Sequence, residues 1–129
     1  MADVTVKKVD EMEGVYDGMF VRARASLGVT SFGMQVENLP PNYEHYPEHD
    51  EEKTAQEEVY TALKGSARLI VGDAEYKLEP GVFARVGVSE KRRIVPGPEG
   101  IQLLALGAVP GQAYEAPEWS ELGAPTPGS

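Results

Sequence analysis

The sequence predicts an all-β domain built from short strands and tight turns. Fourteen glycines and ten prolines lie among short runs of Val, Leu, Ile and Phe, a distribution that disfavours a helical bundle. Two of these runs, ARLIV and AEYKL, flank Gly72-Asp73, a pair typical of tight hairpin turns. At 129 residues the chain fits one domain, 1–129, and we expect no linker within it.

The N-terminal half contains three predicted strands. An edge strand is expected over 4–9, where valines alternate briefly. Residues 20–27, FVRARASL, alternate between an apolar face and a face that carries Arg22 and Arg24. After a turn at 28–30, SFGMQVENL alternates in the same way, so the two segments are predicted to form a hairpin.

The C-terminal half continues the pattern. A turn at Pro80-Gly81 precedes the strand VFARVGV, and a shorter strand, RRIV, leads into a predicted loop at 96–100. IQLLALG at 101–107 is apolar nearly throughout, which is typical of a strand buried on both faces. The tail at 108–129 is rich in Pro, Gly and Ala and is expected to wrap the body through Tyr114 and Trp119.

Residues 54–65, TAQEEVYTALKG, satisfy the rules for two structures. Thr54 and Glu57 could begin a helix that Gly65 ends. The hairpin around Gly72-Asp73 that follows favours instead a strand over 59–63, which would enter a meander of paired strands.

Charge and composition exclude several function classes. The formal net charge of −9 repels phosphate backbones and anionic lipids, so neither nucleic acid nor membrane is an expected partner. The chain has no cysteine, no apolar run long enough to span a membrane and no apolar leader, and we predict a cytoplasmic protein. Motifs for a serine nucleophile, a phosphate loop or a dinucleotide site are also missing.

The segment 39–65 is rich in side chains that could bind a metal or transfer a proton. Both histidines of the chain, His45 and His49, lie there among seven carboxylates and two lysines, Lys53 and Lys64. Neighbouring carboxylates repel one another unless water, a cation or arginines screen them. Either the segment holds a metal, or its two histidines lie in an exposed acidic loop ahead of the strand that follows.

The sequence resembles the cupins. The first cupin motif is G(x5)HxH(x3-4)E(x6)G, and QEEVYTALKG matches its second half through Glu58 and Gly65. The second motif, G(x5)PxG(x2)H(x3)N, is echoed by EPGVFARVGVSEKRRIVPG. The resemblance implies a small single-domain cupin, RmlC-like, with a jelly-roll barrel over about 20–107, a double-stranded β-helix that often pairs into dimers. It also favours strand over helix for 59–63.

Two departures from the motifs concern the metal site that the resemblance implies. His49 takes the first histidine position, but Glu51 stands at the second and Arg92 at the third. A guanidinium has no lone pair to donate to a metal. His49, Glu51 and Glu58, with His45 or Gln56, would still offer nitrogen and oxygen to iron, manganese or zinc, whereas the alternative is that no metal is bound.

Glu58 and Arg92 suggest a second kind of site. Their motif positions imply that both point into the barrel, where low polarity favours pairing of their charges. In one interpretation Arg92 holds a carboxylate or enolate of a small ligand while Glu58 or His49 moves a proton, and Tyr60 and Gln56 help to bind it. In the other, the pair is structural. Arg22 and Arg24 would add to an anion pocket if their face were the barrel interior, and would otherwise be solvated.

Three functions remain open from the sequence. The first is a small-molecule-binding cupin whose polar pocket lacks the three-histidine metal site. The second is a metal-dependent cupin enzyme of the dioxygenase or isomerase type, using His49, Glu51 and Glu58. The third is a non-catalytic dimeric sensor or assembly module; a homodimer is expected in each case.

Overall fold

The computed structural model describes residues 2–127 and shows a seven-stranded antiparallel sheet. The strands are β1 Gly14–Val15, β2 Phe20–Val21, β3 Gly33–Leu39, β4 Glu57–Val71, β5 Ala74–Leu78, β6 Phe83–Val86 and β7 Arg93–Ala108. One short helix, α1, spans Ala23–Leu27, and 3-10 turns lie at Val9–Glu11 and Glu118–Ser120. The strand order is β1-β2-β3-β7-β4-β5, and β6 pairs with β4. This all-β architecture is consistent with the predicted jelly roll.

The long strands β4 and β7 form the spine of the sheet. They pair from Glu57↔Ala108 to Ile70↔Arg93, with irregularities on either side of Gly65. Gly65 has a φ of +75°, and a Cβ there would collide with the carbonyl oxygen of Gly100. Only glycine therefore fits at position 65, where β4 passes close to the backbone of β7, without strain. Because bulges bend and twist a strand, they let both halves of β4 and β7 enclose one interior.

Apolar residues fill that interior and a smaller cluster outside it. The main core includes Leu69, Leu78, Ile94 and Leu103, each at most 2% exposed. A second cluster of Val21, Ala23 and Val36, joined by Met34 and Leu104, lies on the other side of β3 and β7. The adjacent residues Leu103 and Leu104 thus pack into different clusters, which confirms that strand β7 is covered on both faces.

Several sequence predictions are confirmed. The segment 59–63 lies within β4, so the helix alternative for 54–65 is wrong. The turn at Gly72-Asp73 joins β4 to β5, and the turn at Pro80-Gly81 leads into β6. No helix of the described residues is long and apolar enough to cross a membrane.

The predicted strand at 4–9 is wrong. Residues 2–8 are irregular, and Val4 and Val6 are 72% and 86% exposed. Two alternating valines without a partner strand cannot bury enough surface to offset the cost of ordering the chain.

The predicted strand at 20–27 is also wrong beyond its first two residues. Only Phe20 and Val21 pair with β3, opposite Glu37 and Val36. The chain then turns into α1, which ends at Gly28 in the left-handed conformation, with a φ of 81°. Alanine and arginine are good helix formers and Gly28 supplies a favourable C-terminal cap, so local preferences prevail over the short alternating pattern.

The predicted loop at 96–100 lies inside strand β7. Pairing with β4 passes directly from Ala67↔Pro96 to Gly65↔Ile101, so residues 97–100 form an extra stretch opposite Ser66. Their proline and glycine pattern marks a wide irregularity in a continuous strand rather than a connection between two strands.

The tail returns across the N-terminal hairpin, as predicted. Trp119 packs edge-on against Phe20, with ring centroids 5.4 Å apart. The Gly123 N–H donates to the carboxylate of Glu13, and the Tyr16 hydroxyl donates to the Pro127 carbonyl. The last two residues of the predicted tail, 128 and 129, lie outside the described residues.

Candidate functional site

A cavity of about 500 Å³ lies within the barrel. Its lining combines aromatic and apolar side chains with ionisable groups from β3, β4, α1, the segment 43–56 and the tail. The polar lining residues include Arg22, Arg24, Gln35, Glu37, His45, His49, Glu51, Gln56, Glu58, Tyr60 and Tyr114.

The strand register explains which side chains enter the cavity. Gly33 of β3, Gly107 of β7 and Glu58 of β4 form one row across the sheet, since Gly107 pairs with both of the others. The two glycines make room for neighbouring side chains, since a Cβ at Gly107 would lie 2.8 Å from Oε1 of Gln56 and a Cβ at Gly33 would lie 3.0 Å from the Tyr114 hydroxyl. This row therefore places the Gln56 amide and the Tyr114 hydroxyl at the cavity wall on the side of Glu58.

Glu58 is fixed by two buried neighbours. The Tyr60 hydroxyl donates a 2.6 Å hydrogen bond to its Oε1, and Tyr60 is only 1% exposed. Nη1 of Arg92 lies 3.9 Å from the same oxygen. The phenol and the guanidinium thus hold the carboxylate of Glu58 in one position at the cavity.

Arg92 is completely buried, and it is not among the described residues that line the cavity. Its Nη2 donates to the Gly87 carbonyl at 3.0 Å, while its Nε and Nη1 have no hydrogen-bond partner within residues 2–127. Glu58 lines the cavity and Arg92 lies behind it, in contact with Glu58. The structure therefore gives no support to the prediction that Arg92 binds a ligand directly.

Backbone pairing brings the acidic segment to the same place. His49 and Arg92 exchange two backbone hydrogen bonds, of 3.0 and 2.8 Å, and the Glu51 N–H donates to the Val88 carbonyl. The ligating atoms of His49, Glu51 and Glu58 consequently lie within 4.8 Å of one another. We call these three residues the acidic cluster, and they are the group that the sequence proposed as metal ligands.

The surroundings of the cavity change the pKa values of His49 and Glu51. Burial, followed by the charge of Glu58, raises the pKa of Glu51 to about 7. Burial lowers the pKa of His49, although Glu58 acts in the opposite direction. Glu51 therefore exchanges a proton near neutral pH, while His49 is biased towards its neutral form.

Sequence reasoning missed Glu37. It lies on the cavity side of β3, next to Gln35 in the alternation, and its Oε2 is buried without a hydrogen-bond partner among the described residues. Burial and the charge of Glu58 raise its pKa to about 7. The available signal was the polar side of the alternating pattern, on which Glu37 follows Gly33 and Gln35.

Arg22 and Arg24 line the cavity and are 2% and 6% exposed, so the alternative that they are solvated is wrong. Nη1 of Arg22 lies 3.4 Å from Glu13, and Nη2 of Arg24 lies 2.8 Å from Glu121 in the tail. The turn into α1, which the sequence did not predict, is what directs both side chains inward.

Of the remaining predicted residues, Tyr60, Gln56 and His45 also line the cavity. Tyr60 belongs to the interior row of β4, whereas His45 is exposed in the connecting segment. The Tyr46 hydroxyl lies 3.4 Å from Nε2 of His49 and helps to orient that ring.

Comparison with known proteins identifies the fold. No family model and no curated protein matches the sequence. A cupin protein from Bacteroides fragilis superposes with a TM-score of 0.63 at 19% identity, covering 91% of this chain and 93% of its own. A cupin-superfamily sugar phosphate isomerase from Silicibacter pomeroyi gives 0.64 at 19% identity, covering 81% and 75%.

A protein from Thermus thermophilus gives a TM-score of 0.62 at 18% identity, covering 81% of this chain and 96% of its own. Identities this low establish architecture and leave substrate and chemistry open. The chain is a small domain with the cupin fold.

Proposed function

We propose that the protein binds a small molecule in the barrel cavity and that the acidic cluster moves protons on it. The observation that carries this proposal is a cavity of about 500 Å³ in which several ionisable side chains converge. Ligand sites typically measure roughly 300–1,000 Å³ and combine apolar walls with a few placed polar groups.

The acid–base roles follow from the surroundings of each carboxyl group. Glu58 is the base in this proposal because Tyr60 and Arg92 hold its carboxylate at the cavity wall, and Arg92 is a positioning residue that acts through Glu58. Glu51, with a pKa of about 7, can accept or release a proton at neutral pH. Two neighbouring carboxyl groups at one cavity are typical of acid–base sites.

A screen of small acids, sugars and their neutral analogues by thermal shift tests this proposal. Compounds that bind the wild type should fail to stabilise Ala105→Met, because Ala105 lines the cavity between Gln35 and Tyr60 and the longer side chain would fill it. Leu63→Met is the matched control, since Leu63 is 45% exposed on the same sheet.

A compound at a hundred times its Kd should stabilise the wild type by about 2.7 kcal/mol. Failure of every compound to bind, or equal stabilisation of the wild type and Ala105→Met, would contradict a ligand site in the cavity.

A metal-dependent enzyme is a second candidate, favoured by the geometry of the acidic cluster. Its three donor atoms lie within 4.8 Å of one another, and two oxygens with one nitrogen suit iron, manganese or zinc. Burial, followed by the charge of Glu58, raises the pKa values of Glu37 and Glu51. A divalent ion would relieve the part of this rise that comes from the charge of Glu58.

The residues present thus fit a metal, with His49, Glu51 and Glu58 as its holders. Such an ion would act as a Lewis acid on an oxygen of the ligand. Arg92 opposes it electrostatically, but its charge is already directed at Glu58.

Elemental analysis of protein purified without chelator, followed by titration with iron, manganese and zinc, decides between the candidates. A metal enzyme predicts about one equivalent of metal that is lost in His49→Gln and kept in His45→Gln, since His45 is outside the acidic cluster. No binding of any of the three ions at micromolar concentration would end this candidate. Homodimer formation stays a prediction that light scattering in solution tests.

A further inference from the structure

Two buried arginines lie at a part of the cavity that the acid–base proposal does not use. We call Arg22 and Arg24 the arginine pair. Both line the cavity, at 2% and 6% exposure, and both follow β2 on the chain that enters α1. Buried guanidinium groups are costly unless their N–H groups are paired, so their retention beside a cavity requires an explanation.

The protein itself pairs these groups only in part. Nη2 of Arg22 donates to the Pro125 carbonyl at 3.3 Å and its Nη1 lies 3.4 Å from the Glu13 carboxylate, but its Nε has no hydrogen-bond partner among the described residues. Nη1 and Nη2 of Arg24 donate to the Val29 carbonyl and the Glu121 carboxylate, each at 2.8 Å, while its Nε has no partner in residues 2–127. Each guanidinium thus keeps an Nε–H without an acceptor in the described part of the chain.

The arginine pair and the acidic cluster lie at two sides of one space. The side-chain oxygen of Tyr114 is 3.0 Å from where a Cβ of Gly33 would stand, and the charge of Arg24 acts on Tyr114. From Gly33 the row continues through Gly107 to Glu58. Since neighbouring strands lie about 4.8 Å apart, the backbones of Gly33 and Glu58 are separated by roughly 10 Å, with no side chain from the two glycines between them.

We propose that the arginine pair is the subsite for an anionic group of the cavity ligand, a carboxylate or a phosphate. This inference rests on the proposed function and adds the chemical class of the ligand: a compact anion whose remaining atoms extend along the glycine row towards Glu58. Arginine is suited to this task because its planar N–H groups match the oxygens of both anions.

Glu121 is the internal competitor for this subsite. Its carboxylate contacts Arg24 at 2.8 Å from the tail and is 56% exposed, so it can leave without opening the core. An entering anion would replace it and release the tail segment near Trp119. Removal of this one charge should therefore strengthen anion binding, whereas a purely structural ion pair would give only a loss of stability.

Calorimetric titration of the full chain with inorganic phosphate and with malonate, at constant ionic strength, tests the inference. Malonamide is the neutral analogue of malonate. Glu121→Gln should bind the anions about fivefold to tenfold tighter than the wild type, and Arg24→Gln at least about tenfold weaker. Glu118→Gln, which removes an exposed charge from the same 3-10 turn, should match the wild type.

Tighter binding of phosphate or of malonate identifies which anion the subsite prefers. Equal affinities of the wild type and Glu121→Gln would overturn the inference, as would malonamide binding as tightly as malonate. Should Arg24→Gln fail to fold, the comparison of Glu121→Gln with Glu118→Gln still decides, because both changes lie on exposed residues.

Failure of this inference differs from failure of the proposed function. If neutral compounds bind the wild type but not Ala105→Met, and neither phosphate nor malonate binds the wild type, the anion subsite is overturned. The proposed ligand site in the cavity would then still stand. In the opposite case, Glu121→Gln strengthens anion binding, the cavity accepts no other compound, and Ala105→Met binds the anions as the wild type does. This result would support an anion site at the arginine pair but would contradict its being part of a ligand site in the cavity.

Discussion

Replacement of Tyr60 by phenylalanine removes one oxygen atom and tests how Glu58 is held. The hydroxyl donates a 2.6 Å hydrogen bond to Oε1 of Glu58, and the two residues are 1% and 8% exposed. Hydrogen bonds to charged groups contribute roughly 1.5–3 kcal/mol. Since phenylalanine leaves the packing of the ring unchanged, Tyr60→Phe should lower the free energy of unfolding by about 2 kcal/mol.

Urea denaturation measures this loss, and an unchanged m-value would show that the native and unfolded states keep their surface areas. Tyr76→Phe is the matched control because Tyr76 is 53% exposed, and surface changes usually stay within about 0.5 kcal/mol. If Tyr60→Phe were as mild as Tyr76→Phe, Glu58 would not depend on this hydrogen bond and its assigned role as base would lose support.

Two further predictions concern the strand crossing and the second buried carboxyl group. Gly65→Ala should cost several kcal/mol, against about 1 kcal/mol for Gly72→Ala, because both need a positive φ but only Gly65 also meets a carbonyl oxygen; equal losses in urea would refute the collision. Burial raises the pKa of Glu37 from 4.5 to about 7, so the folded state keeps a proton that the unfolded state has lost. Wild-type stability should therefore fall as pH rises from 4.5 to 7, by up to about 3 kcal/mol relative to Glu37→Gln, and parallel pH profiles of the two proteins would contradict this.

Strand β4 was predicted correctly because two independent signals agreed on it. Strand β4 was favoured by the hairpin at Gly72-Asp73 and by the motif that ends at Gly65, and both features are set by local backbone geometry. The segment 20–27 had a single signal, alternation, and the helix-forming residues of α1 outweighed it.

The acidic cluster could be named from sequence because motif spacing places Glu58, and pairing of neighbouring segments then brings His49 and Glu51 to it. Glu37 and the inward turn of the arginine pair could not be predicted in the same way. Which face of β3 meets the cavity depends on its register with β7, and register is a property of the whole sheet.

The central claim is that the barrel cavity is a ligand site with an anionic and an acid–base side. A crystal structure of the wild-type protein soaked with the tightest anion found by calorimetry tests it most directly. The account predicts the anionic group within hydrogen-bond distance of Arg22 or Arg24, and the rest of the molecule along Gly33 and Gly107 towards Glu58. Electron density for the compound outside this cavity, with the Arg24–Glu121 contact intact, would contradict it.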